Sequence, residues 1–162
     1  MEWKTHVAGG VLFGIAGLAV FGPGPMRYFD LILWTVFWAL VPLVEVQLPL
    51  ERRSPLFHSA FFVAAVALAL FGASTIADHA LLSARGAAFA SLGIASHILL
   101  DSFTATGVPL LYPLYPRRHL LFPHFGHTLR YGDRWESERI QYLALVLLIA
   151  LLVLDVLKSS VW

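Results

Sequence analysis

The chain contains no cysteine. That excludes disulfide scaffolds and thiolate metal sites, so any metal must be held by His, Asp, Glu, backbone or water. Charge is scarce as well. Asp, Glu, Lys and Arg make up 13% of 162 residues and sum to +1, so no global charge points to nucleic acid. No internal repeat or low-complexity tail is visible. The opening Met1-Glu2-Trp3-Lys4-Thr5-His6 is a poor secretory leader, and the apolar run behind it reads as a retained anchor.

What the chain does have is hydrocarbon. Hydrophobic residues reach 59% and mean hydropathy is +0.76, whereas a soluble domain is about 45–50% apolar. One water-facing domain cannot hide that much apolar surface. A spanning helix needs roughly 20 mostly apolar residues, and five stretches qualify: 6–21, 28–46, 57–77, 84–104 and 140–157. The expected fold is therefore all-α, a polytopic bundle of about five transmembrane helices in a single domain, 1–162. A soluble bundle of buried helices is the alternative. Connections are short except for 105–139, where Pro109, Pro113, Pro116 and Pro123 stand among Tyr112, Tyr115, Arg117 and Arg118. That segment is too rich in proline for one helix and suits an interfacial loop.

Basic residues set the orientation. Five spans place Lys4, Arg52, Arg53, Arg117, Arg118, Arg130, Arg134 and Arg139 on one side and Arg27, Arg85 and Lys158 on the other. The richer side, with the N-terminus, is expected to be cytoplasmic, in a multi-pass protein of the cell membrane.

The same topology gathers chemistry. His6 opens span one, Glu45 closes span two, His58 opens span three, and His97 and Asp101 end span four. His119, His124 and His127 lie in the long loop. All fall on one membrane face, and only His79 is on the other. His97 and Asp101 are spaced i, i+4 and share a helix face. Such a pair can grip one ion or simply stabilise the helix, but a carboxylate within an apolar span is costly and marks function. Glu45 is either a snorkelling interfacial acid or a ligand or base. His6 and His58 either mark the membrane boundary or ligate. Ser54 followed by Pro55 predicts a helix N-cap with proline at the first helical position, which puts His58 in the first turn of span three. The loop histidines either meet lipid headgroups or add ligands. Gly10 and Gly14 form a small-xxx-small face suited to close helix packing.

Imidazole and carboxylate without thiolate suit zinc, with manganese or iron as alternatives. Arg52, Arg53, Arg117 and Arg118 either set topology or hold phosphate oxygens in the bidentate manner of guanidinium.

Four segments carry a family resemblance: Thr5-His6, Arg53-Ser54-Pro55-Leu56-Phe57-His58-Ser59, the run from Ser96-His97 through Asp101-Ser102-Phe103-Thr104-Ala105-Thr106-Gly107-Val108, and Leu111-Tyr112-Pro113-Leu114. With these the chain resembles the YdjM-like family of LexA-regulated, membrane-bound metal-dependent hydrolases. Its members look distantly similar to zinc-dependent phospholipase C and S1/P1 nuclease. The resemblance implies His6, His58, His97 and Asp101 as ligands, and hydrolysis of a phosphoester, in a lipid or lipid-linked substrate. Two positions depart from the family. Its Pro-Asp-x-Asp stretch is Pro42-Leu43-Val44-Glu45 here, and Glu51-Arg52 stands in place of a His-Arg pair.

The expectation is thus a metal on His6, Glu45, His58, His97 and Asp101, with Glu45 or Asp101 as the base and membrane lipids as partners. No nucleic-acid partner is expected, and the sequence leaves the oligomeric state open. The alternative is a non-enzymatic membrane protein, either a metal or proton transporter or a structural or regulatory partner.

Overall fold

A computed structural model describes residues 3–22, 24, 26–44, 55–77, 79–104, 107–117, 138–139, 141–147 and 149–150. Among them every regular element is helical. Helix α1 is Trp3–Phe21, α2 is Tyr28–Leu40, α3 is Ala60–Ser74 and α4 is Ala84–Ser102. Residues 141–147 form a further helical stretch. Single 3-10 turns lie at Val41–Leu43, Leu56–His58 and Ala80–Leu82.

Local chemistry sets the ends. Gly22 adopts φ +64° directly after α1, the left-handed conformation that glycine takes at no steric cost. Ser83 caps α4 by accepting from the Gly86 amide at 3.2 Å. The start of α3 differs from the sequence expectation. Its N-cap is Ser59, which accepts from the Phe62 amide at 3.3 Å. Pro55 instead leads the 3-10 turn Leu56–His58. Ser59 is itself a strong cap residue, and the helix begins directly after it. His58 therefore precedes α3 rather than riding on its first turn.

Helix α4 packs against α1, α2 and α3, and α1 also packs against α2. Phe89, Ala90, Ile94 and Leu31 are fully buried at the centre. Small residues permit the close crossings. A Cβ on Gly10 would lie 2.9 Å from the Val36 Cα, and one on Gly14 would lie 3.3 Å from the Ile32 Cα. The small-xxx-small face thus meets α2. A Cβ on Gly93 would strike the Thr35 carbonyl oxygen, so α4 rides on the α2 backbone itself. A second apolar cluster joins Ile94, Ile98 and Val108 to Trp38, Phe62 and Leu110. The Ala60 amide donates to the Leu110 carbonyl at 2.9 Å, which ties the start of α3 to the segment that follows α4.

Helix α3 reads AFFVAAVALALFGAS and buries no residue. Among the described residues α1 alone is both long and apolar enough to cross a bilayer. Tyr28–Leu43 and Ala60–Ser74 are apolar but shorter. Helix α4 equals α1 in length, but its Arg85, Ser91, Ser96, His97 and Asp101 lower its hydropathy.

Candidate metal centre

Two helices and one 3-10 turn converge at one end of the bundle. His6 comes from the first turns of α1, His97 and Asp101 from the last turns of α4, and His58 from the turn before α3. Asp101 is the hub. Its Oδ1 lies 3.3 Å from His6 Nε2. Its Oδ2 lies 3.3 Å from His97 Nε2 and 3.4 Å from His58 Nε2. The His6 and His97 rings stack at 3.8 Å with 14° between their planes. His58 meets the His97 ring edge-on at 5.2 Å. Donor atoms of His6, His97 and Asp101 all fall within 4.8 Å of one another.

The orientation of His97 has a backbone cause. Gly93 lets α4 touch α2 at Thr35, and one turn further along both helices His97 Nδ1 reaches the Ala39 carbonyl at 2.7 Å. A carbonyl only accepts, so Nδ1 carries the proton and donates, and in the neutral imidazole Nε2 keeps a lone pair. The carbonyl is available because α2 ends there. Pro42, in the 3-10 turn that follows, has no N–H to return to residue 39.

That lone pair faces the Asp101 carboxylate across 3.3 Å. Two electron-rich atoms so placed repel unless a cation sits between or beside them. The separation also exceeds the roughly 2.7–2.9 Å of a charge-assisted N–H···O bond. It suits two ligands of one ion instead. With metal–donor bonds of about 2.0–2.2 Å, the edge of a tetrahedral site is roughly 3.3–3.5 Å. His6 adds to this picture. It is fully buried, and neither ring nitrogen has a hydrogen-bond partner among the described residues. An unsatisfied buried polar atom costs about 1–3 kcal/mol, a cost that ligation removes. The donor set of imidazoles and a carboxylate therefore fits a divalent metal of the zinc type.

Access is one-sided. His6 and His97 have no exposed surface, whereas the His58 and Asp101 side chains are 16% and 18% exposed. The cluster opens past those two groups, where a water or substrate oxygen can enter.

The structure thus brings together four of the five sequence-derived ligand positions. Glu45 lies outside the described residues, as do Arg52, Arg53, Arg118, His119, His124 and His127. Arg117 is exposed, with its guanidinium 5.5 Å from the Tyr115 ring centroid. His79 stands at the far end of the bundle and accepts from the Leu81 amide at 3.3 Å. Three contributors escape a reading of side-chain chemistry alone: the Ala39 carbonyl, Gly93 and Ser59. Two carried a signal in the sequence. Gly93 stands four residues before His97, and Pro42 stands three after Ala39.

Comparison with known proteins adds a family. Searches of curated proteins and of solved structures find no match. The model of the YdjM inner membrane protein family matches residues 1–160. With that match over nearly its whole length, the chain belongs to the YdjM inner membrane protein family.

Proposed function

We propose that the chain is a multi-pass membrane protein that holds a divalent metal, zinc first and manganese or iron as alternatives, on His6, His58, His97 and Asp101, and that it hydrolyses a phosphoester. One observation carries the metal reading: three imidazole Nε2 atoms converge on a single carboxylate at 3.3–3.4 Å, with His97 held in the tautomer that leaves its lone pair facing that carboxylate. The multi-pass reading draws on the family and on α3, which is apolar over nearly all its length yet has no fully buried residue. Such a helix is at home where lipid is the solvent. The hydrolytic reading rests on the resemblance described above.

A bound divalent ion supplies Lewis-acid charge and lowers the pKa of water at its open position. The chain's residues do the rest. His97 is aimed by the Ala39 carbonyl, as ligating histidines commonly are by their second nitrogen. Asp101 and Glu45 are the candidate bases, since each is a carboxylate at this membrane face. Arg52, Arg53, Arg117 and Arg118 are assigned to the phosphate oxygens, where planar guanidinium gives two parallel hydrogen bonds. A lipid or lipid-linked phosphoester fits a site at the membrane surface with its N-terminal end cytoplasmic. His119, His124 and His127 are assigned a lesser share in ligation. The departures at Leu43 and Glu51 remove one acid and a histidine, and Glu45 keeps the second acid as a glutamate, so fewer ligands are left for a second ion.

The test pairs metal content with turnover. Chelator-free protein incubated with lipid phosphomonoesters and phosphodiesters should release phosphate or headgroup, and Asp101→Asn should abolish release while the protein stays folded. Metal-dependent flux into liposomes, with no hydrolysis of any phosphoester, would instead establish the transport reading.

A further inference from the structure

A second feature lies on the opposite flank of α1 from His6. Trp3, Lys4, Val7, Ala8 and Val11 follow i, i+3 and i, i+4 spacing and therefore share one helix face. Gln141, Ala144 and Leu145 do the same on the helical stretch 141–147. Between these two faces runs a cavity of about 380 Å³ lined by those eight residues. Its floor is made of small side chains, Ala8 and Ala144, both buried. Small floor residues keep the two helices close while leaving their rims apart, so the groove stays open along its length.

The groove has a chemical polarity. Nearly all of its wall is hydrocarbon, and its charged group is Lys4, exposed at one end. Trp3 stands beside it, 60% exposed. No carboxylate of the described residues pairs with Lys4. A tryptophan next to an exposed lysine at a helix end is the arrangement found at headgroup level in membrane proteins. The apolar channel then runs from that level toward the bilayer core. A free anion would gain nothing from the apolar wall, and an uncharged chain would gain nothing from Lys4.

We infer that this groove is a binding site for one anionic phospholipid, with an acyl chain laid between α1 and residues 141–147 and the phosphate on the Lys4 ammonium. The volume lies within the roughly 300–1,000 Å³ of small-molecule sites, toward the end that suits a single chain. The inference rests on the membrane reading but not on the metal, because His6 points away from the groove to its stack with His97. One lysine near an anionic surface contributes about a fivefold preference for negative lipid.

Native mass spectrometry of the full chain in mild detergent tests this, after a carbonate wash has shown that the chain stays with the membrane. Phosphatidylglycerol and phosphatidylcholine of matched chain length are titrated in turn. One phosphatidylglycerol should bind about fivefold more tightly than phosphatidylcholine. Lys4→Glu, at an exposed position, should erase that preference and leave phosphatidylcholine binding unchanged. Leu145→Trp, at a half-exposed position on the groove wall, should weaken both. Equal binding of the two lipids by the unaltered chain would overturn the inference, as would a preference that survives Lys4→Glu or is displaced by inorganic phosphate. Release of the chain by carbonate would overturn the membrane reading itself, and this site with it.

Discussion

The two ends of the bundle treat polar groups in opposite ways. At the end that holds the α1–α2 connection, polar groups are satisfied locally. Arg85 Nη1 donates to the Gly22 carbonyl at 3.0 Å, and its guanidinium lies where a Cβ on Gly24 would otherwise sit. Trp34 Nε1 donates to the Gly86 carbonyl at 3.0 Å, and Ser83 caps α4. These contacts close the loose ends of helices. At the other end, three imidazoles and a carboxylate face one another at distances too long for strong hydrogen bonds and well suited to a shared ion. At the first end polar groups are paired with backbone, whereas at the second they are turned toward one another. Even there the backbone takes part, since Ala39 fixes one nitrogen of His97 so that the other is free to bind.

That contrast is most sharply broken at the hub. Asp101→Ala removes the group that three histidines share. Metal affinity should fall by more than about 100-fold, because even outer-shell partners are worth about 10–100-fold. Competition with a chromophoric chelator measures it. A retained site after this change would mean that the histidines bind without the hub.

Pro42→Ala is the subtler probe. It supplies an N–H that competes for the Ala39 carbonyl and so loosens the His97 tautomer without touching a ligand. Affinity should drop by about tenfold with the helical circular dichroism unchanged.

Acidity gives a graded effect. Ligating imidazoles must be deprotonated, so binding releases protons. Affinity should therefore fall as the pH is lowered and protons compete with the metal. Binding titrations at pH 8, 7 and 6, each in two buffers of different ionisation enthalpy, would report the number of protons released.

The smallest effect belongs to the far end. Arg85→Ala loses one part-exposed hydrogen bond to Gly22, worth about 1 kcal/mol after screening by water. The melting temperature should fall by a few degrees with metal affinity untouched. A loss of metal from this change would show that the ends are coupled and would blur the distinction drawn above.

Much of this was legible in the sequence because helix periodicity is strict. The spacing of His97 and Asp101 placed both on one face, and Gly10 and Gly14 announced a close crossing, which proved to be with α2. The helical class followed from apolar runs. Helix lengths were less legible. The stretch 57–77 loses its first turn to a 3-10 segment, because Ser59 caps the helix that follows, and α2 stops at Leu40 ahead of Pro42. Least legible was the support of the site. The Ala39 carbonyl has no side-chain signature, and its role depends on a crossing register set by Gly93 against Thr35. Glu45, the loop histidines and three of the four proposed phosphate-binding arginines lie outside the described residues, so their places rest on sequence.

The central claim is that His6, His58, His97 and Asp101 form a metal site. Elemental analysis of the chain purified without chelator or affinity metal tests it most directly, alongside His97→Ala. The account predicts a stoichiometric divalent metal, zinc first, in the unaltered chain and its loss from His97→Ala. Metal-free protein that stays empty on incubation with zinc, manganese or iron would contradict it.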